Sequence, residues 1–225
     1  MATPVAAQTP APGAVGAREA EPRHPELAFR NAAELRRMLQ AREYAAAVLK
    51  RTPMAAAELS GRLTARGHSP QVAAALVAAL VDAGELDDAL YAKLYVRSKW
   101  EGNLTAPAKI RKELAAKGIA GPEAKAALVA VFGPSCRIHL AGPATGVESE
   151  VRATLVAAAR KHVEQRRGRY VAKDPADSGN KEDWVAAARV QAKDREGNRR
   201  RLGMWLLYRG HDTDTVFKLF RLLGV

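Results

Sequence analysis

Three segments of this 225-residue chain share one arrangement: an apolar helical stripe, a basic residue, a glycine, and a fresh helix start. They are AELSGRLTARGHSPQVAAALVAAL, APAKIRKELAAKGIAGPEAKAALVAVF and NRRRLGMWLLYRGHDTDTVFKLFRLL. With Gly67, Gly118 and Gly210 as anchors, Leu63, Leu114 and Leu206 stand four residues earlier, and Leu59, Ile110 and Leu202 stand eight residues earlier. Arg66, Lys117 and Arg209 immediately precede the glycines. Apolar residues at i and i+4 form a stripe to bury, a cation suits a helix C-terminus, and glycine supplies the left-handed cap. A unit with one apolar face cannot bury it alone, so the pattern restricts the chain to helical units stacked on their own copies.

The anchors lie 51 and 92 residues apart. A unit of about fifty residues holds three helices with short turns. The chain therefore reads as all-α: three tandem three-helix repeats in an elongated, curved array. Residues 1–33 are a disordered Ala/Pro-rich tail without periodicity. Repeat one spans 34–84, repeat two 85–133, a Gly/Pro-rich linker 134–146, and repeat three 147–225 with an insertion near 168–195. In repeat one, AAELRRMLQAREYAAAVLKR sets Leu35, Met38, Leu39, Tyr44, Val48 and Leu49 close to a single stripe. Thr52-Pro53 and Ser69-Pro70 both read as an N-cap followed by proline at the first helical position. In repeat two, Leu90, Tyr91, Leu94 and Tyr95 read as the inward stripe. In repeat three, VESEVRATLVAAARKHVEQRR opens the unit and DWVAAARVQAK is a further short helix within the insertion. No segment reads as a strand.

Hydrophobic residues make up 48% of the chain and aromatics 5%, which suits helices packed through small side chains rather than a β-sandwich. Cys136 is the one cysteine, so no disulfide forms within the chain and a reducing compartment is expected. No apolar run approaches the roughly 18 residues needed to span a bilayer, and the N-terminus lacks the basic start and apolar stretch of a secretory signal. A cytoplasmic location follows. The net charge is +12, with 15 basic against 10 acidic residues over 34–133 and 18 against 11 over 134–225. Such a surface expects an acidic partner: nucleic acid, a nucleoprotein filament, or an acidic protein face.

Nothing in the chain reads as a catalytic constellation. Asp87 and Asp88 follow a glycine-bearing turn and precede a helix, where carboxylates act as N-cap and dipole partners. His68 and His211 hold one repeat position, just after the glycine, and repeat two places Ile119 there. A position that accepts isoleucine is an apolar contact closing a helix end, not a ligand. No metal-ligand spacing, phosphate-binding glycine loop or nucleophile elbow occurs. No catalytic residue, cofactor or metal is expected, and the chain is read as a non-enzymatic binding protein.

Repeat two opens with GELDDALYAKLYVRSKWEG and continues with KIRKELAAKGI. Leu86, Asp87, Asp88, Tyr91, Ala92, Tyr95, Arg97, Ile110, Glu113, Leu114, Lys117, Gly118 and Ile119 match, in order, the core signature of the RecX family, which the chain resembles over roughly 35–133 and 150–225. The resemblance implies a modulator that docks on RecA–DNA filaments and damps ATP hydrolysis, strand exchange and coprotease activity in recombination, DNA repair and the SOS response. The proline-rich tail and the insertion depart from the family pattern. The alternative is an autonomous basic DNA-binding repeat protein, acting on single- or double-stranded DNA without RecA.

The basic clusters are the candidate partner-binding residues: Arg97 and Lys99; Lys109, Arg111, Lys112 and Lys117; Arg199, Arg200 and Arg201; and Arg166, Arg167 and Arg169. Cations on one face of a solenoid can contact phosphates or acidic side chains. Trp205 joins them because sister repeats hold Arg62 and Glu113 at its position, which suggests a partner-facing ring. The competing reading packs Trp205 against the insertion near Trp184. Nothing demands a partner copy, so a monomer is expected.

Overall fold

The computed structural model describes residues 32–144, 146–165 and 181–225. The expected tail, but for residues 32 and 33, the first part of the insertion, and Arg166, Arg167 and Arg169 lie outside the described residues. Among those described there are nine helices and no strand. The first three are α1 (Ala32–Leu49), α2 (Ala56–Ala65) and α3 (Pro70–Asp82). Then come α4 (Asp88–Asn103), α5 (Pro107–Ala116) and α6 (Pro122–Phe132), followed by α7 (Val147–Glu164), α8 (Lys181–Tyr208) and α9 (Thr213–Leu223). Within each set of three the helices pack on one another, and α6 meets α7.

The glycine anchors build the same corner three times. Gly67, Gly118 and Gly210 adopt φ of 96°, 83° and 84°. This left-handed region is open to glycine at no steric cost. The following amide then reaches back five residues: His68 N to Leu63 O at 3.1 Å, Ile119 N to Leu114 O at 3.0 Å, His211 N to Leu206 O at 3.2 Å. That bond closes the helix end and points the next helix back across the unit. The stripe residues Leu59, Leu63, Ile110, Leu114, Leu202 and Leu206 are all fully buried.

Two cores result. One belongs to α1–α3 and includes Ala41, Ala45, Met54, Leu76 and Leu80. The other runs through α4–α9, so repeats two and three share it, and the linker contributes Cys136 and Leu140. Trp100 lies inside it, its ring edge-on to Phe132 with centroids 5.1 Å apart. Leu86 enters the first core from the start of repeat two, while Ala55 enters the second from repeat one.

Four local readings are corrected. Leu35 and Leu39 are half exposed, and the alanines Ala41 and Ala45 form the seam of α1 instead. In α4 the buried row is Ala92, Val96 and Trp100, with Leu90 and Leu94 exposed. Residues two apart on a helix lie about 200° apart, so in each helix two apolar rows stand on nearly opposite faces and only one of them can turn inward. Ser69 caps α3, accepting from Val72 N at 3.3 Å, but Thr52-Pro53 caps nothing, because Met54 and Ala55 are drawn into the cores before α2 begins. Finally, DWVAAARVQAK is no separate helix. It is continuous with the Leu202–Leu206 stripe in the 28-residue α8, since the intervening KDREGN holds no proline and Gly197 costs only about 1 kcal/mol within a helix.

Each later corner docks on the start of the preceding repeat's middle helix. Lys117 donates to Glu58 at 2.8 Å, and a Cβ on Gly118 would strike Ala57 Cβ. The bond from Lys117 holds the Glu58 carboxyl below its usual range. The uncapped N-terminus of α2 is served from the next repeat: Ala56 N donates to Asp88 Oδ1 at 2.9 Å, while Asp87 caps its own helix through Leu90 N at 2.8 Å. At the second junction Lys109 stands in the register of Glu58, nine residues before its glycine, and cannot pair with Arg209. The corner locks through backbone instead. Arg209 Nε donates to Asn103 O at 2.7 Å, Ala106 N to Arg209 O at 3.0 Å, and His211 Nε2 lies 2.8 Å from Leu104 O.

Three outcomes are expected. Gly67→Ala should destabilise by about 1–2 kcal/mol, the cost of a left-handed Cβ. Gly118→Ala should cost clearly more, because its methyl also meets Ala57; equal melting losses in chemical denaturation would contradict the docking geometry. Asp88→Ala should cost about 1 kcal/mol, although it caps a helix in the neighbouring repeat. Burial pushes the His211 imidazole below its ordinary value, so below about pH 6.5 the unfolded chain takes up a proton that the folded chain resists. Stability should therefore fall as pH drops from 7 to 5.5, and His211→Ile, which copies repeat two, should flatten that fall in urea titrations.

Candidate partner-binding surface

The basic residues singled out from the sequence divide by what their side chains already hold. Three bind within the molecule. Lys99 pairs with Glu113 at 3.3 Å and lies 5.2 Å from the Tyr95 ring; Tyr95 in turn donates to Glu113 at 2.7 Å. Burial of Glu113 favours its neutral form, but the bonds from Tyr95 and Lys99 outweigh this and hold its carboxyl below the usual range. Burial, with Glu113 beside it, raises the Tyr95 phenol well above its ordinary value. Lys117 bridges to repeat one as described, and its ammonium also lies 5.9 Å from the Tyr91 ring. Lys109 donates to Tyr208 O at 2.8 Å, tying α5 to the end of α8.

The others face outward. Arg111, Lys112 and Arg200 are exposed and make no ion pair with a described residue. Arg97 is exposed and pairs with Glu101 one turn on, at 2.7 Å. Arg199 lies over the Phe220 ring at 5.3 Å, and Arg201 donates to Asn198 at 2.6 Å. Trp205 is half-buried. Its ring stacks on His162 of α7 at 5.0 Å and carries the Arg209 guanidinium at 4.2 Å. It does so without Trp184, which is exposed on α8.

On α8 the spacing of Arg200, Met204, Leu207 and Tyr208 puts four exposed side chains on one face. Tyr208 is 81% exposed, and Lys109 lies 5.1 Å from its ring, so this face continues onto the start of α5. Arg111 follows there and opens onto two clefts. One, of about 690 Å³, is bounded by the N-terminal turns of α5 and α9 and by the linker. The other, of about 510 Å³, lies between α5, α6 and the linker's start. Lys125, Arg137, His139 and Lys218 line these clefts and were missed by the sequence reading. Their one signal was charge; the folding back of a Gly/Pro-rich linker onto α5 has no periodicity to reveal it. The surface thus offers cations, the carboxylates of Asp212 and Asp214, the latter paired with Lys218 at 2.6 Å, and a small apolar patch, a mixture suited to a protein contact. Among the described residues no group of acids, histidines and cysteine could hold a metal ion. No helix among them is long and apolar enough to cross a membrane.

Comparison with known proteins adds the family. The family model for the second three-helix domain of RecX matches residues 87–128. The Regulatory protein RecX of Chromohalobacter salexigens is 41% identical over 87 residues, which are 39% of this chain and 57% of that protein's length. The chain is also similar to the crystal structure of RecX from Lactobacillus salivarius, with a TM-score of 0.55 and 16% identity over 84% of this chain and 98% of that one. A second structure, of regulatory protein RecX, gives a TM-score of 0.51 and 18% identity over 85% of this chain and 73% of the other. At such identities the structures establish the shared arrangement of three-helix repeats, and the sequence match lies on the repeat that carries the Asp87–Ile119 signature. The second three-helix repeat of this chain thus matches a RecX domain, and its fold is shared with the RecX structures.

Proposed function

We propose that this protein modulates RecA by binding RecA–DNA filaments, without cofactor or chemistry of its own. The observation that carries this reading is the family match over 87–128, on the repeat whose Lys117 and Asp88 lock it to repeat one. A filament presents phosphates and acidic side chains in a repeating array, which a basic helical surface complements without a catalytic group. The protein acts as a monomer in the cytoplasm, damping ATP hydrolysis, strand exchange and coprotease activity in recombination, repair and the SOS response. Arg97, Arg111, Lys112, Arg199, Arg200 and Arg201 are the partner-facing cations, and Lys99, Lys109, Lys117 and Trp205 support them by fixing the repeats.

The test is the ATPase rate of RecA on single-stranded DNA, titrated with this protein at physiological salt. The rate should fall at substoichiometric ratios. Arg111→Glu combined with Arg200→Glu should raise the half-inhibitory concentration at least tenfold without lowering the melting temperature, since both side chains are exposed and pair with no described residue. An unchanged ATPase together with steeply salt-dependent binding to DNA alone would replace this reading with that of an autonomous DNA-binding protein.

A further inference from the structure

Two of the three glycine corners are docked, and they define what such a corner accepts. The corner of repeat two sets Lys117 on the Glu58 carboxylate and its glycine on Ala57. The corner of repeat three, Arg209-Gly210-His211, takes the carbonyls of Asn103 and Leu104 with its arginine and histidine and packs its glycine on Lys109. In both cases the acceptor is the turn between a repeat's first and second helices, with the opening of the second helix. It presents electron-rich oxygens to the cation and a side-chain stem to the glycine.

Repeat one carries the same tripeptide, Arg66-Gly67-His68. Its glycine has the same left-handed φ, and its closing bond, His68 N to Leu63 O, is the same. The support beneath it is also repeated: the Arg66 guanidinium lies 4.4 Å above the Tyr44 ring, and Lys117 lies 5.7 Å from the Tyr95 ring. Tyr44 and Tyr95 each stand 23 residues before their glycine. Yet Arg66 and Gly67 are exposed, a Cβ on Gly67 would meet nothing within 4 Å, and Arg66 has no ion pair with a described residue. The corner is built like the docked ones and has no acceptor among the described residues.

We infer that the Arg66-Gly67-His68 corner is a protein-docking site for a helix–turn–helix corner of the partner, whose helix-end carbonyls or carboxylate accept hydrogen bonds from Arg66 and His68. The inference rests on the RecA reading above and names the part of this chain that grips the protein component of the filament. In a second copy the acceptors at Ala57–Glu58 and Asn103–Lys109 are already filled by its own corners.

The experiment uses the full chain with RecA filaments assembled on single-stranded DNA, read by hydrogen exchange and by binding affinity. The amides of 64–70 should gain protection in the complex. Arg66→Ala with His68→Ala should weaken filament binding at least tenfold while leaving the melting temperature and the affinity for bare DNA unchanged. If the wild type binds filaments but 64–70 stay unprotected and the double variant binds equally well, the corner is not a docking site, while the RecA reading stands. If the wild type binds no filament, both fall. Protection of 64–70 on self-association of the free chain would overturn the assignment to a partner protein.

Discussion

The left-handed glycine after each middle helix is the constraint on which this architecture depends. It costs nothing in steric energy where any other residue would pay about 1–2 kcal/mol, and it fixes two things at once. It returns the next helix across its own repeat, so that Leu63, Leu114 and Leu206 are sealed. At Gly118 and Gly210 it also leaves a side chain-free surface on which Ala57 and the Lys109 stem of the neighbouring repeat pack. A helix end and an inter-repeat joint are therefore one structural element, and a change at the glycine acts on both.

That element was legible in the sequence because it is local. Glycine, the basic residue before it and the leucines at four and eight residues all lie within three helical turns, and their recurrence gave the three-helix unit directly. What was not legible depends on contacts between distant segments. Leu90 and Leu94 have the same spacing as Ala92, Val96 and Trp100, and contacts with distant segments, such as that of Trp100 with Phe132, mark which row turns inward. Asp87 and Asp88 look equivalent as caps, yet one serves its own helix and the other serves α2, 32 residues earlier. The linker's Arg137 and His139 gained their place beside Arg111 from a fold-back with no pattern of its own.

The charge surplus is not a single surface feature. Lys109 and Lys117 lie in the same cluster as Arg111 and Lys112, and Lys99 stands with Arg97, but each of the three lysines is bound to a carboxylate or a carbonyl within the protein. In an exposed setting such pairs contribute little to stability, commonly under about 1 kcal/mol. Their larger effect is on register, since Glu58 in one repeat and Lys109 in the next select different partners at the same position. Arg111, Lys112 and Arg200, by contrast, are exposed and pair with no described residue.

The division of the interior into two cores gives the molecule an uneven mechanical character. Repeats two and three share a continuous apolar interior, whereas repeat one is joined to them by a glycine contact, one ion pair, one cross-repeat cap and the exchange of Leu86 for Ala55. Apolar burial scales with area and is insensitive to salt, but the polar part of this joint is not. Repeat one is consequently the unit with its own threshold for opening, a separate cooperative block in the sense that local unfolding free energies differ along a chain. A force applied across the molecule would meet a two-repeat body carrying a smaller block on a joint that weakens as ionic strength rises.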